Sequence, residues 1–274
     1  MAEFYLGGKK VYYETYGTGG EPILLLNGIM MSAKSWTPFI ENFSRFNRLI
    51  LMDFFDQGGS ARMTGAYDHA IQIAAIEGLL AHLKLSVVNI CGVSYGAEVG
   101  LGFAVKHPDK VRRLALFNGG ARTAPLLRDI GRAWNEAARA EGGLAYYLAA
   151  IPVIYSDSYY ENHADRMANR QKNLVPYFGT QEVKERLIRL TDSSENFNVV
   201  DKLGALGMPV LIVTAADDYL IPLREQEIMA EGIKHAHRVI LPACGHASMY
   251  EQPLLFSALT LGFINSQNGE FVIQ

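Results

Sequence analysis

The sequence predicts an α/β fold: a mostly parallel, doubly wound sheet carrying a helical cap insertion. Three observations carry this expectation. First, short apolar runs of strand length alternate with helix-length segments from Pro22 to Asn118, the order expected of a parallel sheet with right-handed crossovers. Second, the alternation stops between Gly119 and about Gly207, where the patterns are helical, and resumes at Pro209. Third, the strand-like run Val88–Val93 ends in Gly92-Val93-Ser94-Tyr95-Gly96 and passes directly into a small-residue helix pattern. The expected organisation is a core of residues 1–120 and 207–274 with a helical cap of residues 121–206.

In chain order, Phe4–Leu6 and Lys10–Tyr16 flank Gly7-Gly8 and read as a hairpin. Pro22–Leu26 is an apolar run suited to a strand covered on both faces, as is Arg48–Met52. Ser35–Phe43 reads as a short helix, and Asp53–Ser60 as a glycine-rich loop. Asp68 can cap a helix running to about Leu85, with Ile71, Ala74, Ala75, Leu79, Leu80 and Leu83 at helical spacing. The helix after Ser94 stops at Pro108, and Val111–Asn118 is the next strand. Cap helices are expected at Ala124–Glu141, Gly143–Ala150, Ser158–Asn173 and Thr180–Leu190. Strand Pro209–Thr214, helix Leu223–Gly232, strand His237–Leu241 and helix Pro253–Ile264 complete the pattern. The tail to Gln274 carries no signal.

Length and composition narrow the function classes. The 274 residues suit one large domain or one domain with an insertion; 49% are hydrophobic and 19% charged, the balance of a soluble globular chain. A net charge of −3 supplies no electrostatic attraction to nucleic acid or to anionic membrane. Two cysteines make neither a disulfide framework nor a metal motif, so no metal or cofactor is expected. No run is apolar and long enough to span a bilayer, and the start has neither the basic nor the apolar part of a secretory signal, so a cytoplasmic protein is expected. The oligomeric state is left open, a homodimer among the options.

The Gly-x-Ser-x-Gly run is the chemical centre. Its middle residue must sit in a turn so tight that side chains at Gly92 and Gly96 would block the approach of strand and helix. Ser94 then lies at a strand's carboxyl end beside a helix N-terminus, whose free N–H groups favour developing negative charge. Two other loops at predicted strand ends carry matching groups: Asp218, four residues before Pro222, and Cys244-Gly245-His246. Asp217 neighbours Asp218, but the spacing to Pro222 favours Asp218. Asn118 also ends a strand, but an amide cannot carry the charge an acid would supply. His69, His82, His107, His163, His235 and His237 read as surface or helix-end residues, and Cys91 and Cys244 as small buried thiols. Met30, Met31, Phe54 and Phe55 follow strand ends; they either line an apolar acyl pocket or fill the core.

Together these residues closely resemble the α/β-hydrolase fold superfamily over nearly the whole chain, in the family's order Ser, Asp, His. The resemblance implies Ser94 as nucleophile, His246 as its general base and acid, and Asp218 as the group that fixes the imidazole tautomer. It implies an oxyanion hole from the backbone N–H of Tyr95 with that of Ile29 or Met30. Met30 and Trp134 are the candidate substrate contacts. Two departures stand out: Asn27-Gly28 where the family usually has His-Gly, and Asp56 where many relatives carry Arg. Both loops show a weaker similarity to the enzyme that joins 3-hydroxyacyl chains in rhamnolipid precursor synthesis.

The activity implied is hydrolysis of a small-molecule ester or thioester with an apolar acyl group, without a cofactor, and carboxylesterase is the best label. Acyl transfer to an alcohol or a 3-hydroxyacyl acceptor is the alternative raised by Asn27-Gly28. A ligand receptor on a hydrolase scaffold is a third, and C–C hydrolysis of ring-fission products stays open. A dehalogenase or epoxide hydrolase would need Asp where Ser94 stands.

Overall fold

A computed structural model describes residues 2–266; the unassigned tail beyond lies outside the described residues. Its eight strands are β1 (Ala2–Leu6), β2 (Lys9–Tyr16), β3 (Pro22–Leu26), β4 (Arg48–Met52), β5 (Val88–Val93), β6 (Val111–Phe117), β7 (Val210–Ala215) and β8 (Ala236–Leu241). They form one sheet in the order β1-β2-β4-β3-β5-β6-β7-β8. The opening hairpin pairs antiparallel and joins β4 antiparallel; β4 through β8 are parallel. The expected α/β class and mostly parallel sheet are therefore observed.

The apolar runs are continuous because the inner strands are covered on both faces. On one face Leu24, Leu26, Ile50, Ile90, Leu114 and Ile212 pack under α2 (His69–His82) and α3 (Tyr95–Lys106). On the other, Ile23, Leu25, Leu49, Leu51, Phe117 and Leu211 meet Trp36, Phe43, Phe256 and Phe263. Phe43 belongs to α1 (Ile40–Ser44), and the last two to the C-terminal helix Pro253–Asn265. Burial of these side chains is the main stabilising term, about 25 cal/mol for each Å² of apolar surface removed from water.

The region between β6 and β7 holds five α-helices, α4 (Pro125–Arg139), α5 (Leu144–Ile154), α6 (Asp157–Asn162), α7 (Ala164–Phe178) and α8 (Gln181–Ser193), and a 3₁₀ segment, Val200–Ala205. Their shared core of Trp134, Tyr146, Tyr147, Phe178 and Leu187 also takes in Leu220, Ile221 and Ala247 from the loops after β7 and β8, with Ile29 and Met30 alongside. The insertion thus packs onto the loops at the carboxyl ends of the strands, where open α/β sheets bind ligands. After β7 come α9 (Leu223–Gly232), β8, the single turn α10 (Ser248–Glu251) and α11 (Pro253–Asn265).

Several boundaries differ from the sequence pattern for local reasons. Ser35–Phe43 is a 3₁₀ segment, Ala33–Phe39 with Pro38 inside it, leading into α1. The Asp68-capped helix ends at His82, not Leu85, and Lys84 stands in the left-handed region just beyond (φ 55°). The expected helix Ser158–Asn173 is two helices: His163 donates from Nδ1 to the Tyr159 carbonyl (3.1 Å) and stacks on the Tyr159 ring, closing α6. α5 runs four residues past Ala150, with Pro152 in its last turn.

Candidate active site

Ser94 lies between β5 and α3 at φ 54° and ψ −121°, a conformation that L-residues adopt only under local constraint. The flanking glycines allow it. A Cβ on Gly92 would stand 2.3 Å from the Gly96 carbonyl oxygen, and one on Gly96 would stand 2.3 Å from the Leu26 carbonyl oxygen. Strand β5, helix α3 and the end of β3 therefore meet with no room for a side chain, and the turn pushes the serine side chain outward. The Ser94 N–H donates to the Phe117 carbonyl (2.9 Å) and anchors the turn to β6.

The loops after β7 and β8 bring the other two groups to the same sheet edge. His246 Nε2 lies 2.7 Å from Ser94 Oγ, and His246 Nδ1 lies 3.0 and 2.9 Å from the two carboxylate oxygens of Asp218. Three further donors hold Asp218: the backbone N–H groups of Leu220 and Ile221 on Oδ1 and Asn118 Nδ2 on Oδ2, each at 2.9 Å. A carboxylate accepting from this many donors orients the ring so that Nδ1 carries the proton and Nε2 faces Ser94 as an acceptor. Asp217, half-buried, makes no such contact; its N–H donates to the Cys244 carbonyl. Asn118, set aside from the sequence as unable to be the acid, instead donates to it and accepts from Ser248 Oγ (2.5 Å). Nothing in the sequence signals this support beyond its place at the end of β6.

The loop after β3 lies opposite. A Cβ on Gly28 would be 3.7 Å from the Ser94 Cβ, and Ile29 and Tyr95 line the same cavity as Ser94 and His246. Among the described residues, the backbone N–H groups of Ile29 and Tyr95 have no protein acceptor. The arrangement can supply two donors to a carbonyl oxygen developing negative charge. The loop itself is held by a buried polar network. Asn27 donates to the Met52 carbonyl (2.9 Å) and to Gln57 Oε1 (3.0 Å) and accepts from Trp36 Nε1 (2.6 Å). Gln57 Nε2 in turn donates to the Gly28 carbonyl (2.9 Å). Asp53 accepts from the N–H groups of Ala33 (2.6 Å) and Gly59 (2.7 Å). Burial pushes the Asp53 carboxyl up, opposed by these N–H groups and by Asn27. Asn27 thus carries the hydrogen bonding behind the loop, and it faces this network and not the cavity.

Two lobes open from Ser94 and His246. One, of about 80 Å³, runs beside Tyr95 and Thr123 towards Asp192 and Glu195. The other, of about 90 Å³, runs between Met30, Met31, Ile151 and Tyr155. Trp134 and Ile29 wall both, and Met30 walls the second. Phe54 and Phe55 are fully buried in the core and line neither, so of the four strand-end residues only the two methionines border the cavity. Cys91 and Cys244 are buried free thiols, both pushed up by burial, Cys91 to about 12. Among the described residues no group of three His, Cys, Asp or Glu side chains is placed to hold a metal ion.

Two buried contacts lay outside the sequence reading. Asp56, fully buried at φ 66°, receives Arg189 Nε and Nη2 on its two oxygens (2.9 and 2.8 Å), while its carbonyl accepts from Arg186 Nε (2.7 Å). The residue that replaces the family's usual Arg therefore ties α8 to the core. His69, expected at a helix end, is at one but is buried, 3.9 Å from Glu98. The approach has ion-pair distance without ion-pair charge: burial pushes Glu98 up to about 8 and His69 down to about 4, so both are neutral near pH 7.

The α/β-hydrolase family model matches residues 23–259. The chain belongs to the α/β-hydrolase family. Within it, the chain is 28% identical to a protein of Azorhizobium caulinodans provisionally named the carbamate hydrolase RutD, over 94% of this chain and 96% of that one. The counterpart of the same name in Agrobacterium fabrum is 27% identical over 93% and 98%. Among solved structures, the α/β-hydrolase enzyme MGS-M2 from a Medee basin deep-sea metagenome library is 44% identical, with a TM-score of 0.96 over 99% of this chain and all of that one. The enol-lactonase of Burkholderia xenovorans shares the fold at 22% identity and a TM-score of 0.86, covering 97% of this chain and 100% of that one. This α/β-hydrolase is thus a hydrolase of small molecules, and among its described residues no helix is long and apolar enough to cross a membrane.

Proposed function

We propose that this α/β-hydrolase is a serine hydrolase that cleaves a carboxylic ester or thioester through an acyl-enzyme on Ser94. The observation that carries the reading is the hydrogen-bonded line from Ser94 Oγ through His246 to Asp218. In the first step Ser94 Oγ attacks the substrate carbonyl carbon while His246 Nε2 takes the hydroxyl proton. The oxyanion is met by the N–H groups of Ile29 and Tyr95, each such donor contributing on the order of 3 kcal/mol to the transition state. His246 returns the proton to the leaving alcohol or thiol as the tetrahedral intermediate collapses. A water, deprotonated by the same nitrogen, then releases the acid and restores Ser94. Asp218 stabilises the imidazolium in both halves.

Residues 121–206 act in this reading as a cap whose Trp134, with Met30 from the core, touches substrate. Lobes of about 80 and 90 Å³ suit short acyl and alcohol groups, apolar on the side of Met30, Met31 and Ile151. Acyl transfer to an alcohol stays the alternative raised by the Asn27-Gly28 loop: Asn27 lines neither lobe, while Gly28 walls the second. Carbamate hydrolysis, the activity in the names of the two bacterial relatives, attacks a comparable carbonyl and is the second reading.

The test is turnover of p-nitrophenyl acetate, butyrate and octanoate, with ammonium release from carbamate run beside it. The short esters are expected to be cleaved and Ser94→Ala to be inactive. Undiminished turnover by Ser94→Ala removes Ser94 from the mechanism. Ammonium release with no ester cleavage favours the second reading.

A further inference from the structure

The two lobes differ in charge. The lobe towards Asp192 and Glu195 has its cations engaged: Arg132 pairs with Glu195 and Asp129, and Arg128 donates to the Glu195 carbonyl. The lobe behind Met30 has no carboxylate in its wall and one cation, Arg170 of α7. The Arg170 guanidinium carbon sits 5.3 Å from the ring centre of Tyr155 and 5.4 Å from that of Tyr250. Two aromatic faces thus hold the group without neutralising it. Among the described residues it has no ion pair and no hydrogen bond, and its Nε is buried with its donor unmade. A guanidinium offers five N–H donors in a fixed fork, and leaving buried ones unused is costly. The cavity wall that bears this fork also bears Ser94 and His246.

We propose that Arg170 is the anion-recognising residue of this site, so that the preferred substrate is an ester carrying a carboxylate at the end that occupies the Met30 lobe. This rests on the serine hydrolase reading above. A planar carboxylate meets the fork with two parallel hydrogen bonds, beside the apolar wall of Ile151, Ile154 and Met249. The tyrosine pair pre-organises the guanidinium, so binding does not have to immobilise a free side chain.

The experiment compares monomethyl with dimethyl esters of succinic, glutaric and adipic acids in the wild type, Arg170→Gln and Arg170→Lys, following methanol release. In parallel, isothermal titration measures glutarate binding to the wild type and Arg170→Gln. We expect the wild type to favour at least one monoester over its diester. Arg170→Gln should lose about 10–100-fold in kcat/KM on that monoester, the effect of one charged hydrogen-bonding group, and clearly less on the diester. Arg170→Lys should keep part of the monoester preference, and glutarate binding should weaken in Arg170→Gln. An equal loss on monoester and diester identifies a purely structural tie between α7 and the His246 loop and overturns the inference. So does unchanged glutarate binding. If the wild type cleaves no ester, the serine esterase reading fails, and the titration alone decides whether Arg170 recognises carboxylates.

Discussion

Asp218→Asn isolates the charge of one group while keeping its shape. In the wild type, the backbone N–H groups of Leu220 and Ile221 both point at Oδ1 and cannot turn away. The substituted amide must therefore place its oxygen there and its NH2 where Oδ2 was. Asn118 can accommodate this by flipping its own amide, because the hydroxyl of Ser248 accepts as readily as it donates. His246 accommodates it poorly. Its Nδ1 lies 2.9 Å from the former Oδ2, so a proton on Nδ1 would face an N–H donor there, and the oxygen retained at Oδ1, 3.0 Å away, already accepts from Leu220 and Ile221. Moving that proton to Nε2 relieves the clash but leaves Ser94 with a donor where it needs a base. Forcing the productive tautomer costs a buried donor its partner, about 1–3 kcal/mol, and forfeits a charged hydrogen bond to the imidazolium, about 1.5–3 kcal/mol more. Together these correspond to a loss of about 10²–10⁴-fold in kcat. The assay is saturation kinetics on p-nitrophenyl acetate, with a thermal melt to establish that the variant folds. KM should change little, since Asp218 itself lines neither lobe. A folded Asp218→Asn within threefold of wild-type kcat would refute the argument that this carboxylate sets the tautomer.

Other predictions follow from buried contacts. Asp56→Asn keeps a residue tolerant of φ 66° but removes the charge opposite Arg189; unfolding by urea should show a loss of about 1.5–3 kcal/mol, and a loss below about 0.5 would mean the pair does not tie α8 to the core. Burial raises the Glu98 carboxyl to about 8, so its protonated form favours the fold; that contribution is complete below the unfolded value near 4.5 and lost as pH rises through about 8. His69, lowered to about 4, acts in the opposite sense between about 4 and 6.5, so the Glu98 effect stands alone above 6.5. Wild-type stability should therefore fall by up to about 1.4 kcal/mol per pH unit between pH 6.5 and 8, and Glu98→Gln should flatten that slope; the same slope in both proteins would contradict a neutral buried Glu98. Gly96→Ala should cost at least about 1–3 kcal/mol and abolish ester turnover, because its Cβ meets two backbone carbonyls at 2.3 and 2.7 Å; a folded, active Gly96→Ala would show the turn has slack.

The sequence by itself determined the sheet, the order of its landmarks and the residues of the Ser94–His246–Asp218 line. Each of these rests on short-range signals: an apolar run long enough for a buried strand, a glycine pair that only a tight turn requires, a loop directly after a strand. Because parallel strands all deliver their carboxyl ends to one edge, a one-dimensional order of Ser94, Asp218 and His246 implied their meeting. Only the tertiary structure decided what surrounds them. Asn118 as a donor to Asp218, the Asn27–Gln57 pair behind Ile29, and Asp56 on Arg189 join residues from 30 to 133 positions apart. The same holds for the Arg170 guanidinium, placed by α7 between rings from α5's end and α10. No periodicity encodes such pairs, since the free energy that selects them is the cost of leaving a buried polar group unpaired, and that cost exists only once the chain has packed.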